Sequence, residues 1–416
     1  MADRAALQRR VLWALTSGQI AGSAALGAAV TVGAFVVQDI LDQETVWGGV
    51  ATAAFTVGAA FMSQRLSRLM LRHGRRPGLA GGYALATIGG VVAALGAERG
   101  WLVLFLLGVF LFGSGQASNL LARYAATDLA APDERSRAMS RVVFASTFGA
   151  VFGPLFVRPA EHVGQEWFGW YQYTGPWVLG AILFALALLN TVLRLRPDPL
   201  VVAGGVDTSG GARTPPASLG RTLALIRSRP QATLALGAMV VSQASMVGVM
   251  TMTPVHMRLH GHESLSQYVI SMHIAGMYAF SPLIGRFADR KGRVPAIATG
   301  AVLLVGSTLL AALSGDVELL LFPALWGLGL GWNFGLIGGS SLLTESVPAE
   351  QRVAVQGSAD LMMSLCGGLA GFASGFIRRA VGYHLMSTLA TVAAGALLVI
   401  AYTALLRSRR LAPTAA

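Results

Sequence analysis

Apolar runs of about 20 residues, long enough to cross the hydrocarbon core of a bilayer, alternate along the chain with short polar segments carrying Arg, Pro or Gly. Twelve such runs are predicted to be membrane-spanning helices: 11–37, 47–69, 79–97, 101–125, 138–157, 174–194, 231–255, 265–285, 296–314, 318–343, 354–377 and 384–406. The stretch Met1 to Arg10 is polar, and the run after it is too long for the core of a cleavable signal, so none is expected.

Composition agrees with the pattern. Of 416 residues 54% are hydrophobic and only 12% charged, too few to coat a soluble globule. The net charge of +12 is unevenly placed. Arg4, Arg9 and Arg10 precede the first run, Arg65, Arg68, Arg72, Arg75 and Arg76 follow the second, and similar groups recur at alternate loops to Arg407, Arg409 and Arg410. The remaining loops carry only Arg99, Arg158, Arg258, Arg378 and Arg379. The positive-inside rule then puts both termini on the cytoplasmic side of the membrane, with the lipid bilayer as partner and no need of nucleic acid. The single Cys366 excludes an intramolecular disulfide and leaves packing or metal ligation open.

Residues 195–229, rich in Gly, Pro and Ser, read as a cytoplasmic linker between an N-terminal six-helix bundle, 1–194, and a C-terminal one, 230–416. Within the linker, Leu219 to Arg227 suits a short interfacial helix. The halves repeat. Arg72-His73-Gly74-Arg75-Arg76-Pro77 matches Arg290-Lys291-Gly292-Arg293-Val294-Pro295, and Thr127 to Arg135 matches Thr344 to Arg352 at nearly the same offset. The fold class is therefore an all-α membrane protein of twelve helices in two bundles, and duplication of a six-span unit points to alternating access around a midplane site.

Gly285-Arg286-Phe287-Ala288-Asp289-Arg290-Lys291-Gly292-Arg293 carries a family resemblance. Over essentially its full length the chain resembles the major facilitator superfamily, whose loop motif is G-x-x-x-D-R-x-G-R. The resemblance implies a gating role for Gly285, Asp289, Arg290, Gly292 and Arg293, with Asp289 accepting from basic side chains or a helix N-terminus. The first-half copy departs from it: Ser67 replaces the Gly and Leu71 the Asp. Gly149-x-x-x-Gly153-Pro154 is similar to part of the exporter signature, and a small-residue face for helix packing explains it equally. Phe110, Leu111 and Phe112 stand where a proton-antiport motif would carry Arg. No nucleophile and base pair, phosphate loop or closed zinc motif is present, so an enzyme is not expected.

Seven of the fourteen Met and four of the seven His fall between Met239 and Met277. Met246 and Met250 share a face of the seventh span, and His273 and Met277 a face of the eighth. At about 1.5 Å per residue, Met246 and His273 lie roughly 13 and 12 Å below the outer helix ends. Thioether and imidazole together suit Cu(I), whereas Met as an apolar gap-filler is the plainer alternative. Met252, His256 and Met257, with His260 and His262 in the loop, are placed to collect an ion first. M-x-x-x-M followed by H-x-x-x-M is similar to the CcoA-type bacterial copper importers. That resemblance implies Met246, Met250, His273 and Met277 as ligands, copper as transported substrate with no resident cofactor, and a cytoplasmic copper chaperone as partner.

Asp360 is the one carboxylate more than a residue inside a span, which makes it a candidate proton carrier, with a capping or inter-helix hydrogen-bonding role near the helix start as the alternative. Arg123, at a span end, is expected to snorkel to headgroups. Gln19, Gln116, Asn119, Gln243 and Asn333 either line a cavity or join helices by hydrogen bonds. The alternative function is proton-coupled export of a small organic or drug-like solute.

Overall fold

Because a bilayer offers the backbone no hydrogen-bond partners, each apolar run satisfies its own N–H and C=O groups as a helix. The computed structural model describes residues 2–29, 32–42, 49–206, 218–261, 263–315 and 317–411. Among them the regular elements are all helical: α1 (Ala2–Ala29), α2 (Gly33–Leu41), α3 (Gly49–His73), α4 (Arg75–Arg99), α5 (Leu102–Ala125), α6 (Arg135–Phe152), α7 (Val157–Phe168), α8 (Thr174–Arg194), α9 (Pro199–Val202), α10 (Leu219–Arg227), α11 (Pro230–Leu259), α12 (Glu263–Tyr278), α13 (Ser281–Lys291), α14 (Arg293–Ala312), α15 (Leu321–Glu345) and α16 (Arg352–Leu411).

Among the described residues, ten helical stretches are long and apolar enough to cross a membrane by length and composition. The last, Ala349–Arg407, is two spans in one stretch, because Gly382, at φ 81°, breaks the helical geometry within α16. A further 25-residue helix, α3, lies on the predicted second span and is made more polar by Arg65, Arg68 and Arg72. The eighth span is divided at Ala279 and Phe280, with Pro282 in the first turn of α13. The short helix expected in the linker is α10. The sequence reading left α7 as loop; its 12 residues place Val163, Trp167 and Phe168 outward among Arg158, Glu161 and Glu166.

The chain divides into two compact units: Met1–Ala131, Arg141–Thr222 and Ala349–Leu365 make the first, and Pro132–Ser140, Leu223–Pro348 and Cys366–Ala416 the second. Two short segments thus leave the unit of their flanking sequence, namely the start of α6 and the start of α16.

In unit 1, α4 and α5 pack at backbone distance, because a Cβ at Gly89 or Gly108 would collide with the facing main chain. Behind them Trp177 meets Phe105 and Phe112 edge-on at 5.2 and 5.3 Å between ring centroids. Gly149 of α6 and Gly153, just past its end, lie against Ser23, Ala24 and Gly27 of α1, so the small-residue signature of the fifth span serves helix packing. In unit 2, α11, α12 and α14 all pack on α15, which is buried almost all round from Leu321 to Thr344.

Candidate functional site

Trp332 of α15 donates its indole N–H to Gln243 Oε1 on α11 at 2.6 Å and stands edge-on to Tyr278 of α12, with centroids 5.8 Å apart. Gln243 and Tyr278 are half-buried, so this aromatic and amide patch has an accessible side. Near it Asn333 Nδ2 donates to Ser281 Oγ at 3.0 Å, tying α15 to α13. Trp332 and Tyr278 were missed by the sequence reading; the signal was a Trp set among Gly327, Gly329, Gly331 and Gly335, where neighbours approach closely enough to fix an indole.

His273 is fully buried, and its ring lies against α15, with Nδ1 2.8 Å from the Leu325 carbonyl. A carbonyl only accepts, so Nδ1 carries the proton and Nε2 the lone pair. That Nε2 is buried with no hydrogen-bond partner among the described residues. Met246 and Met277 are buried and Met250 half-buried. Among the described residues no group of three or more His, Cys, Asp or Glu side chains is placed to hold a metal ion, so any soft ion here would depend on thioethers beside one imidazole.

The proposed ion-collecting residues are differently placed. His256 stacks on Tyr383 at 4.3 Å and lies 4.3 Å from the His260 ring and 5.3 Å from that of His384. Its neighbour Met257 is fully buried, so stacking holds both in the packed end of the unit, not at an open mouth. Met252 is half-buried, and His262 lies outside the described residues.

The loop motif sits at the other end of unit 2. Asp289 accepts from the backbone N–H groups of Ser136 and Arg137, at 3.1 and 2.9 Å. These are first-turn donors of α6, which have no partner within their own helix. Arg293 bridges Asp289 at 3.1 Å and Glu345 at 2.9 Å. Gly285 lets Ser140 of α6 pass where a Cβ would collide, Gly292 at φ 102° turns the chain into α14, and Arg290 is exposed.

Unit 1 carries a different arrangement at the start of α16. Arg75, 1% exposed, clasps Asp128 with two bonds of 2.8 and 3.0 Å and reaches Gln356 at 2.9 Å. Burial pushes the Asp128 carboxyl above its ordinary value against the pull of Arg75. One turn after Gln356, Asp360 is fully buried and accepts from Arg123 at 2.5 and 3.3 Å. Arg123 also bonds the Leu120 carbonyl and Tyr124 Oη, and its guanidinium lies over the Tyr124 ring. The expectation that Arg123 snorkels is corrected: its counter-charge arrives from a residue 237 positions away, so the guanidinium stays inside. Asp360 caps no helix end, and its bond to Arg123 is the inter-helix role weighed from sequence.

Four of the five polar residues singled out from sequence join helices. Gln19 donates to Ser146 Oγ at 2.9 Å, Asn119 accepts from Tyr83 at 3.0 Å, and Gln243 and Asn333 are bonded as above. Gln116 is half-buried on α5.

A family model described as Major Facilitator Superfamily matches residues 13–270 and 258–416. The MFS-type transporter YdeG of Bacillus subtilis (strain 168) is 37% identical, over 92% of this chain and 88% of its own length. The riboflavin transporter RfnT of Brucella anthropi is 28% identical over 94% of each chain. Among solved structures, the human organic anion transporter MFSD10 superposes with a TM-score of 0.73 at 16% identity, covering 95% of this chain and 99% of that one.

Proposed function

Since the chain belongs to the major facilitator superfamily, and is thereby a multi-pass membrane transporter and not an enzyme, we propose that it carries a small organic solute bearing a flat aromatic ring. The observation that carries this reading is the Gln243, Trp332 and Tyr278 patch. Indole and phenol rings offer a stacking surface, and a half-buried amide beside them supplies a fixed polar contact, the usual makeup of a small-molecule site. The name of the relative RfnT, a riboflavin transporter, supports a ring-bearing solute and makes riboflavin the first compound to try. In this reading the protein lies in a bacterial cytoplasmic membrane with both termini inside, and Asp360, paired to Arg123, is the group that couples transport to protons.

The test is flux of labelled riboflavin and other aromatic solutes in proteoliposomes. Trp332→Ala and Gln243→Leu are expected to reduce flux at least tenfold while inserting normally. Unchanged flux in both variants removes this patch from the solute path, and no flux of any aromatic solute by the unaltered protein removes the reading.

One observation favours a second reading, copper carriage by Met246, Met250, His273 and Met277. His273 Nε2 is a buried lone pair without a partner, with Met277 one turn further along α12. On this reading a cytoplasmic chaperone receives the ion. Copper flux lost in His273→Leu and Met277→Leu but retained in Trp332→Ala would select it over the first.

A further inference from the structure

We propose that unit 1 contains a binding site, formed by Gln19 and Asn119, for the amide or imide edge of the solute; it rests on the organic-solute reading above.

Both side chains are carboxamides, 6% and 4% exposed, and each is pinned at one end only. Gln19 of α1 spends its N–H on Ser146 Oγ at 2.9 Å, which leaves Oε1 buried with no partner among the described residues. Asn119 of α5 spends its carbonyl on the Tyr83 hydroxyl at 3.0 Å, which leaves Nδ2 buried with no partner among the described residues. The pins fix the polarity of what remains, an acceptor from α1 and a donor from α5.

The two side chains come from helices in close contact. Gly22 lies one turn after Gln19 on the same face of α1, and a Cβ at Gly22 would collide with Asn119 Oδ1 and stand 3.0 Å from Nδ2. The absence of a side chain at Gly22 is what lets α1 pass over the Asn119 amide. A buried donor or acceptor without a partner costs more than an apolar residue in its place. Two of opposite polarity within about one turn suit a ligand that presents an N–H to Gln19 and a C=O to Asn119.

Amides, ureides and cyclic imides have that edge as two fixed, adjacent atoms, whereas a carboxylate has no donor to offer Gln19. The nearest charge along α5 is Arg123, one turn on, and Asp360 neutralises it, so the pair of amides suits an uncharged edge. Beneath it Tyr83 stacks on Phe184 with centroids 6.0 Å apart, holding the Asn119 partner still.

The experiment uses the full chain in lipid nanodiscs, with lumiflavin and its N3-methyl derivative as probes and quenching of flavin fluorescence as readout. The methyl group removes the imide N–H and keeps the ring. Lumiflavin is expected to bind at least tenfold more tightly than the methylated probe. Gln19→Leu is expected to weaken lumiflavin about tenfold and to abolish the discrimination, and Asn119→Leu to weaken lumiflavin about tenfold through the lost carbonyl contact. Asn119→Asp, which keeps the Tyr83 bond but replaces the donor with an acceptor, is expected to act alike and serves if the Leu variants fail to fold. Equal binding of the two probes, or undiminished lumiflavin binding in Asn119→Asp, overturns the proposal and assigns the two amides to bound water alone. If these variants carry solute normally while Trp332→Ala does not, this site is refuted and the organic-solute reading stands; if no aromatic probe binds or moves, both fall.

Discussion

Arg123 and Asp360 are a pair in which each charge is tolerable only because the other is there. With 1% and 0% of their side chains exposed, neither has water to fall back on. Removing one partner of such a pair typically costs about 3–5 kcal/mol, whereas replacing both by apolar residues of similar volume is often neutral. Arg123→Met and Asp360→Leu singly are therefore expected to lower the thermal midpoint of the purified protein by several degrees, and the double substitution to restore most of it. A melt of all three variants checks this, and single variants as stable as the parent would mean that the pair is solvated. His273 poses the opposite case, because its ring makes one neutral bond, to the Leu325 carbonyl. His273→Phe keeps the bulk and gives up that bond. Its expected cost is about 1–3 kcal/mol, since the Leu325 carbonyl loses its side-chain donor, and the same melt reads it.

The starts of α6 and α16 dock by complementary means. On unit 2, Gly285 of α13 makes room for Ser140 of α6; on unit 1 the sizes are exchanged, with Ser67 on α3 and Gly357 on α16. The departure of the first motif copy from glycine is thus matched across the contact. Asp289 binds the first-turn N–H groups of α6, while Leu71 at the corresponding place in unit 1 has no such capacity, and Arg75 with Gln356 holds the start of α16 instead. Gly357→Val is expected to cost about 1–3 kcal/mol by overpacking. Gly357→Ser paired with Ser67→Gly, which restores the arrangement of the other unit, is expected to be milder than Gly357→Ser alone. Thermal melts of the four proteins decide, and additive effects would show that the two positions do not share a contact. Asp289→Asn keeps the shape and removes the charge at the α6 N-terminus, for an expected loss of about 1–2 kcal/mol that shrinks in high salt if the helix dipole is the cause.

For the molecule as a whole, the proposed proton coupling turns on Asp360, because protonating it would cancel the charge that holds Arg123. Asp360→Asn is expected to abolish accumulation driven by a pH gradient while leaving solute counterflow within a few-fold of normal. Proteoliposomes with and without an imposed gradient measure both, and gradient-driven accumulation surviving in Asp360→Asn would take the coupling role away from this residue. How far the sequence alone reached is seen in particular places. Span positions, the linker helix α10 and the duplicated loops were legible because each depends on local runs: a bilayer obliges an apolar segment to close its own hydrogen bonds as a helix. The break at Gly382 was local too, a glycine with positive φ between two runs. By contrast, Arg123 was misread, α7 was missed, and the Trp332, Gln243 and Tyr278 patch was invisible as a unit. Those outcomes depend on how each helix is rotated and at what height it crosses its neighbours, and a span apolar and small on every side carries no periodicity that fixes either. The sequence by itself determined that there are helices and where they run; only tertiary packing decided that Asp360 meets Arg123 and that His273 turns to Leu325, because those partners are chosen by contacts between helices remote in the chain.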